Sequence, residues 1–185
     1  EEGPRIEPDE VGPFSLEQMA RQYRDGGVTA ALGRPPIAYV EGSCVGGGTE
    51  DNAGLFHAPG PTVLQRWQRS HQTTGLTAQE LSPHVAEVQR ALSVQRITHD
   101  APRASQLLAE GAAVMGWECV DVPRTYRYED GRPVKQSMLR TYLPRAAEAG
   151  ARVIADTRVQ RVRWAPGRAL KAQTSRGLVT AEHVW

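Results

Sequence analysis

Gly46, Gly47 and Gly48 run without a break and lead directly into Thr49, Glu50, Asp51 and Asn52, within the stretch EGSCVGGGTEDNAGLFHAP from 41 to 59. A glycine triplet gives up chain entropy in return for backbone shapes and close approaches that a Cβ forbids. Its chemistry is that of contact, bare amides open to a bulky or anionic group with hydroxyl and amide side chains close behind. On the residues alone two readings stay open, a close-approach loop for an anion or cofactor and a plain tight turn. No Gly-Lys-Ser/Thr follows, so the loop is not a Walker A loop. The G-x-G-x-x-G spacing and a long preceding apolar strand are missing as well, which removes the dinucleotide fingerprint.

The remaining chemistry-bearing residues are dispersed. His57, His71, His84, His99 and His183 share no spacing for a metal or a triad and read as surface or structural groups, so no metal is expected. His57 alone lies close to the glycine loop. Cys44 and Cys119 stand far apart without ligand spacing, and Cys44 reads as a small buried residue rather than a redox thiol. A reducing cytoplasm is the compartment this cysteine usage implies.

The elements that must position the loop alternate in type. Ser15 caps a short helix through LEQMARQYRD, stopped by Gly26 and Gly27. Pro35 and Pro36 exclude a helix before the loop, and the stretch there reads as a turn and a short extended piece. Asn52 opens a segment read as helical. Thr77 and Glu80 have capping-box spacing, with Ser82-Pro83 as an alternative start. Leu81, Val85, Val88 and Leu92 recur on one helical face.

A second amphipathic helix spans APRASQLLAEGAAVMGW and stops at Gly116, and a third runs from Gln136 to Gly150, bent or restarted at Pro144. From Ala151 the period becomes two, giving a strand at Val153-Ile154 and then an antiparallel meander through Val159, Val162 and Trp164, with turns at Pro166-Gly167 and Arg176-Gly177 and a last strand running into His183-Val184-Trp185. Trp67 and Trp117 are expected in cores. Glu80 reads as a cap, Glu87 as a solvated helix face and Lys135 as structural.

Composition narrows the function classes. Across 185 residues, 22 Lys and Arg against 21 Asp and Glu give a net charge of +1, which offers no electrostatic case for nucleic acid or an anionic membrane. Lysine occurs only at 135 and 171, and the scattered arginines form no patch. No apolar run approaches a membrane span. Glu1-Glu2-Gly3 has neither an initiator Met nor a secretory pattern, so the start reads as a cut, and the end likewise.

The glycine stretch resembles the first signature of the glucose-methanol-choline (GMC) oxidoreductases, flavoenzymes that oxidise alcohols with FAD. Gly42, Val45, Gly46, Gly47, Gly48, Thr49, Asn52, Phe56 and Pro59 fit its spacing, while Ser43 and Asp51 depart from it. Trp67 and LTAQELSPHVAEVQRALSV, with Glu87, are similar to the family's next helix. GRPVKQSMLRTYLPRAAEAGARVIADTRVQRV resembles its Lys-Gln-Ser segment and the strands beyond. Glu1-Glu2-Gly3 resembles the end of the second strand of the FAD fold.

The resemblance implies an α/β chain containing part of a Rossmann-like FAD-binding domain of the glutathione-reductase type with a β-meander, and part of a helical substrate cap. The expected divisions are 1–70 and 128–185 for the FAD domain and 71–127 for the start of the cap. It also implies that Gly48, Thr49, Asn52 and Ala53 face the flavin, with Gly46 and Gly47 binding the cofactor beside them, Glu1 the adenosine ribose, and the Val159 backbone the adenine. The catalytic His lies beyond this chain, so no catalytic residue is expected here and the piece alone is expected to be inactive. Some relatives attach FAD through a His where Asp51 stands; an aspartate cannot make that linkage, so FAD is expected to be non-covalent. The partner is expected to be a small-molecule alcohol. The alternatives are a nucleotide-binding module or an interaction module keeping a flavin-type fold without redox activity.

Overall fold

The structure, a computed structural model, describes residues 1–97, 101–130, 132–165 and 168–181. His99, His183, the Pro166-Gly167 turn and the final strand pattern lie outside the described residues. In chain order the elements are α1 (Leu16–Gln22), a 3-10 turn (Arg24–Gly27), β1 (Thr29–Ala31), β2 (Ile37–Tyr39), α2 (Gly48–Asp51), α3 (Pro61–His71), α4 (Ala78–Ala91), β3 (Val94–Gln95), α5 (Arg103–Val114), β4 (Arg124–Glu129), β5 (Arg132–Lys135), α6 (Tyr142–Glu148), β6 (Val159–Ala165), β7 (Arg168–Thr174) and β8 (Gly177–Thr180). The chain is mixed α/β, and its ladders among the described residues are antiparallel, in sheets ordered β1-β2, β3-β4-β5 and β6-β7-β8.

Two compact units form, one from 1–52 with 137–185 and the other from 53–136. They divide after Asn52 and Gln136. The reason is backbone pairing to β4: Leu55 bridges Arg124, the Phe56 amide donates to the Pro123 carbonyl at 2.9 Å, and the Gln136 amide donates to the Thr125 carbonyl at 2.8 Å.

In the first unit, Ser15 accepts a hydrogen bond from the Gln18 amide at 3.0 Å and caps α1 as its residue type dictates. The helix ends at Gln22, ahead of the glycines, because Tyr23 turns extended and bridges Gly42. The core gathers Ile6, Val11, Cys44, Val45 and Leu139. The third expected helix begins only at Tyr142, since residues 138–141 form turns and Pro144 falls in the first helical turn, where a missing amide is tolerated. The meander follows the expected period, with Val159 opposite Thr174 and Lys171 opposite Thr180. Val153 and Ile154 are not a strand and remain about half exposed, because the backbone of 154–157 bonds to Glu1 and Gly3 instead of forming a ladder.

In the second unit, α4 carries the full capping box. Thr77 Oγ1 accepts from the Glu80 amide and the Glu80 carboxylate accepts from the Thr77 amide at 2.9 Å, so Pro83 lies inside the helix rather than at its start. Leu92 is buried, with Leu81, Val85 and Val88 partly so. The segment after Asn52 is not helical: the helical turn precedes it, and the next helix waits until Pro61. Gly116, at φ 70°, stops α5 as expected. Trp67 and Trp117 are exposed by 38% and 64%, not in cores, as no described element covers them.

Candidate functional site

The glycine loop lies in the first unit, and its glycines serve different ends. A Cβ on Gly42 would meet the Gly47 carbon and oxygen at 2.6 Å, and one on Gly46 would meet Glu50 Oε1 at 2.4 Å. These two are glycines because the loop folds tightly against itself. Gly47 has φ 54°, a backbone shape that L side chains rarely adopt. Gly48 differs: its φ is unremarkable, and a Cβ there would meet nothing nearer than Asp51 Oδ1 at 3.6 Å. Neither strain nor crowding demands a glycine at 48, and the residue is exposed. A bare face is left open on the outer side of the loop, where an added Cβ would stand in the way of a bound group.

The inner side of the loop is fastened by hydroxyl and amide groups. Thr49 Oγ1 donates to the Gly46 carbonyl at 2.7 Å and accepts from the Met138 amide at 3.0 Å. Gln18, buried on α1, donates from Nε2 to the Glu50 carbonyl at 3.1 Å and to Gln22 Oε1 at 3.0 Å, while its own Oε1 accepts from the Phe14 amide. The Gln22 carbonyl in turn accepts from the Ser43 amide at 2.7 Å. Sequence reasoning missed Gln18 and Gln22; their only signal is a pair of amides four residues apart on one helical face.

Thr49 is thus committed to holding the loop as well as bordering it. Thr49→Val is expected to cost about 1–2 kcal/mol, because the Met138 amide loses its acceptor in a partly buried place. Thr49→Ser retains both bonds and should lose under half of that; equal urea midpoints for the valine variant and the parent protein would show the bonds to be immaterial.

Residues 1–4 run between two other segments. The Thr157 amide donates to the Glu1 carbonyl at 2.7 Å, the Asp156 amide to the Gly3 carbonyl at 3.0 Å, and the Val45 amide to the Pro4 carbonyl at 2.9 Å. Glu1 and the start of β6, where Val159 lies, are thereby brought into the same part of the unit as the glycine loop. Glu1 is exposed and its carboxylate accepts from the Gly3 amide at 2.9 Å. Glu2 is occupied differently: Arg24 hydrogen-bonds its carboxyl and holds it below the usual range, with Arg158 at 3.4 Å adding to the pull. Asn52 is exposed and ends α2, its amide donating to the Gly48 carbonyl at 3.1 Å. Ala53, also exposed, opens the second unit.

Other candidates take the quieter role. Cys44 is fully buried, and burial pushes its thiol up to about 11, so it is a packed residue rather than a nucleophile. His57, His71 and His84 are exposed, and among the described residues no group of three or more His, Cys, Asp or Glu is placed to hold a metal. Glu87 is exposed on α4. Among the described residues no helix is long and apolar enough to cross a membrane.

A mixed α/β chain with an open glycine loop is common to several classes of protein, and comparison with known sequences narrows this one to a single family. A family model described as GMC oxidoreductase matches residues 19–180, and the chain belongs to that family. It is 34% identical over 178 residues to the uncharacterized GMC-type oxidoreductase y4nJ of Sinorhizobium fredii, covering 91% of this chain and 35% of the relative. It is also 29% identical over 187 residues to an uncharacterized GMC-type oxidoreductase of Mycobacterium tuberculosis, covering 95% of this chain and 30% of that one. The chain therefore spans about a third of the length of these relatives.

Proposed function

We propose that the whole protein is an FAD-dependent oxidoreductase acting on CH–OH groups, to which this chain contributes part of the flavin site and no catalytic residue. The observation that carries this reading is the open face at Gly48, a glycine that its own backbone does not require, in a chain of the GMC family. The residues present fit the cofactor. Bare backbone at Gly47 and Gly48 admits a ring system or pyrophosphate at close range, with Gly46 shaping the loop behind them. Thr49, Asn52 and Ala53 would border the flavin, Glu1 would hold the adenosine ribose, and the Val159 backbone would meet the adenine. FAD supplies a hydride acceptor for oxidation of an alcohol to a carbonyl.

In this reading the first unit belongs to a Rossmann-like domain of the glutathione-reductase type, supported by the backbone bonds that flank residues 1–4 on both sides. The second unit is the start of the substrate region. The protein acts on a small alcohol and works in the cytoplasm.

Asp51 makes the first test specific. Its carboxylate cannot form the histidyl bond by which flavin is anchored covalently, so acid precipitation of the purified full-length protein is expected to leave yellow FAD in the supernatant. Flavin retained in the pellet would refute non-covalent binding. A colourless protein that takes up no added FAD would overturn the flavin reading altogether.

A further inference from the structure

A cavity of about 340 Å³ lies within the second unit, away from every residue given a role above. Side chains alternate across a strand, so Arg124, Tyr126 and Tyr128 share one face of β4, the central strand of its sheet. All three line the cavity, together with Ser105 and Pro102 at the start of α5. Its volume is at the lower end of the range for small-molecule sites and suits a single ring with a polar end.

The charge in this cavity favours an anion. Arg124 Nε is buried and has no hydrogen-bond partner among the described residues. That Nε is closed to solvent, so an anion in the cavity would meet the guanidinium through its terminal nitrogens. The first turn of α5 adds to this, since Pro102 provides no capping side chain and no acidic residue lies in that turn. Its leading amides keep their partial positive charge. Arg103 is turned to another task, paired with Glu110 at 2.9 Å.

The walls favour a flat apolar body. Tyr126 is held in place where Gly54 lacks a side chain, as a Cβ there would meet the ring at 2.8 Å, and Ile97 and Pro133 complete an apolar lining. Burial raises the Tyr126 phenol while Arg124 draws it back, which places the two groups in one electrostatic neighbourhood. Asp121 lines the same cavity, so each added negative charge on the ligand meets further repulsion and a single carboxylate meets half that of a dianion.

We propose that this face of β4 and the first turn of α5 bind a small monocarboxylate on a flat apolar body, with the carboxylate at Arg124 and the ring between the tyrosines. Arg and carboxylate pair through two parallel hydrogen bonds, which fixes orientation as well as charge. The site is independent of the glycine loop and holds whether or not that loop carries FAD.

Calorimetric titration of the full-length protein with benzoate, benzamide and inorganic phosphate tests it. Benzoate is expected to bind with Kd below about 1 mM, and benzamide and phosphate at least about tenfold more weakly. Arg124→Met keeps the stem and removes the charge, and should weaken benzoate by more than about tenfold while leaving benzamide unchanged. No heat from benzoate, equal binding of benzoate and benzamide, or benzoate affinity retained in a folded Arg124→Met protein each overturn the proposal. Should that variant not fold, the benzoate and benzamide comparison on the unaltered protein decides alone.

Discussion

Gly42→Ala is expected to strip FAD from the full-length protein, lowering its affinity by more than about a hundredfold, and to destabilise the fold by about 3 kcal/mol. The new methyl would sit 2.6 Å from the Gly47 carbon and oxygen and 2.9 Å from the Gly48 nitrogen. All three are backbone atoms, so no rotamer change relieves the clash. Gly42 cannot withdraw either, because it bridges Tyr23 while the Arg24 amide bonds the Glu41 carbonyl at 2.8 Å and the Ser43 amide bonds the Gln22 carbonyl at 2.7 Å. The strain must therefore appear in the glycine loop, the part proposed to meet the flavin. Gly111→Ala is the matched control. It lies inside α5 with nothing within 4 Å, and should raise stability by about 0.5–1 kcal/mol through helix propensity. The visible flavin absorbance per chain and a thermal melt read both effects, and unchanged flavin content in Gly42→Ala would remove the loop from the cofactor site.

Gly3→Ala is expected to be more damaging still to the fold, with a loss of at least about 4 kcal/mol. Its Cβ would stand 2.0 Å from the Ser43 oxygen, 2.3 Å from the Ser43 carbon and 2.6 Å from the Cys44 nitrogen. Movement away from Ser43 is opposed by the Asp156 and Thr157 amides, which bond the Gly3 and Glu1 carbonyls on the other side. Movement along the chain would pull Ile6, only 1% exposed, out of the core. Most of the variant should be insoluble, and any soluble fraction should unfold at much lower urea. A melt within a degree or two of the parent protein would mean that residues 1–4 do not run beside 43–45.

What the sequence made legible was local. Ser15 and Thr77 cap their helices because an N-cap is decided by residues three apart, and the meander follows from a period of two that needs only its own neighbours. The family resemblance rested on the same kind of signal, short spacings of residues in the glycine loop and in the segments around Trp67 and Lys135. What escaped was decided at a distance. The stretch after Asn52 is extended because Leu55 bridges Arg124, and Val153-Ile154 forms no ladder because its neighbours bond to Glu1 and Gly3. Gln18 and Gln22 resemble ordinary surface residues until α1 is laid behind the loop. At Trp67 and Trp117 the sequence rule failed, since an aromatic on a helical pattern fills a core only where another element arrives to cover it.

The bond from the Met138 amide to Thr49 also sets an order of events on the ribosome. The first unit is discontinuous, with the whole second unit translated between its two parts. Residues 53–136 form one unbroken stretch that emerges together, whereas the glycine loop waits for an anchor that is synthesised afterwards. Domains tend to fold as their chain becomes available. The nascent protein should thus present a structured second unit while residues 1–52 remain open to proteases and chaperones, and the loop should become protected only once residue 138 has left the exit tunnel.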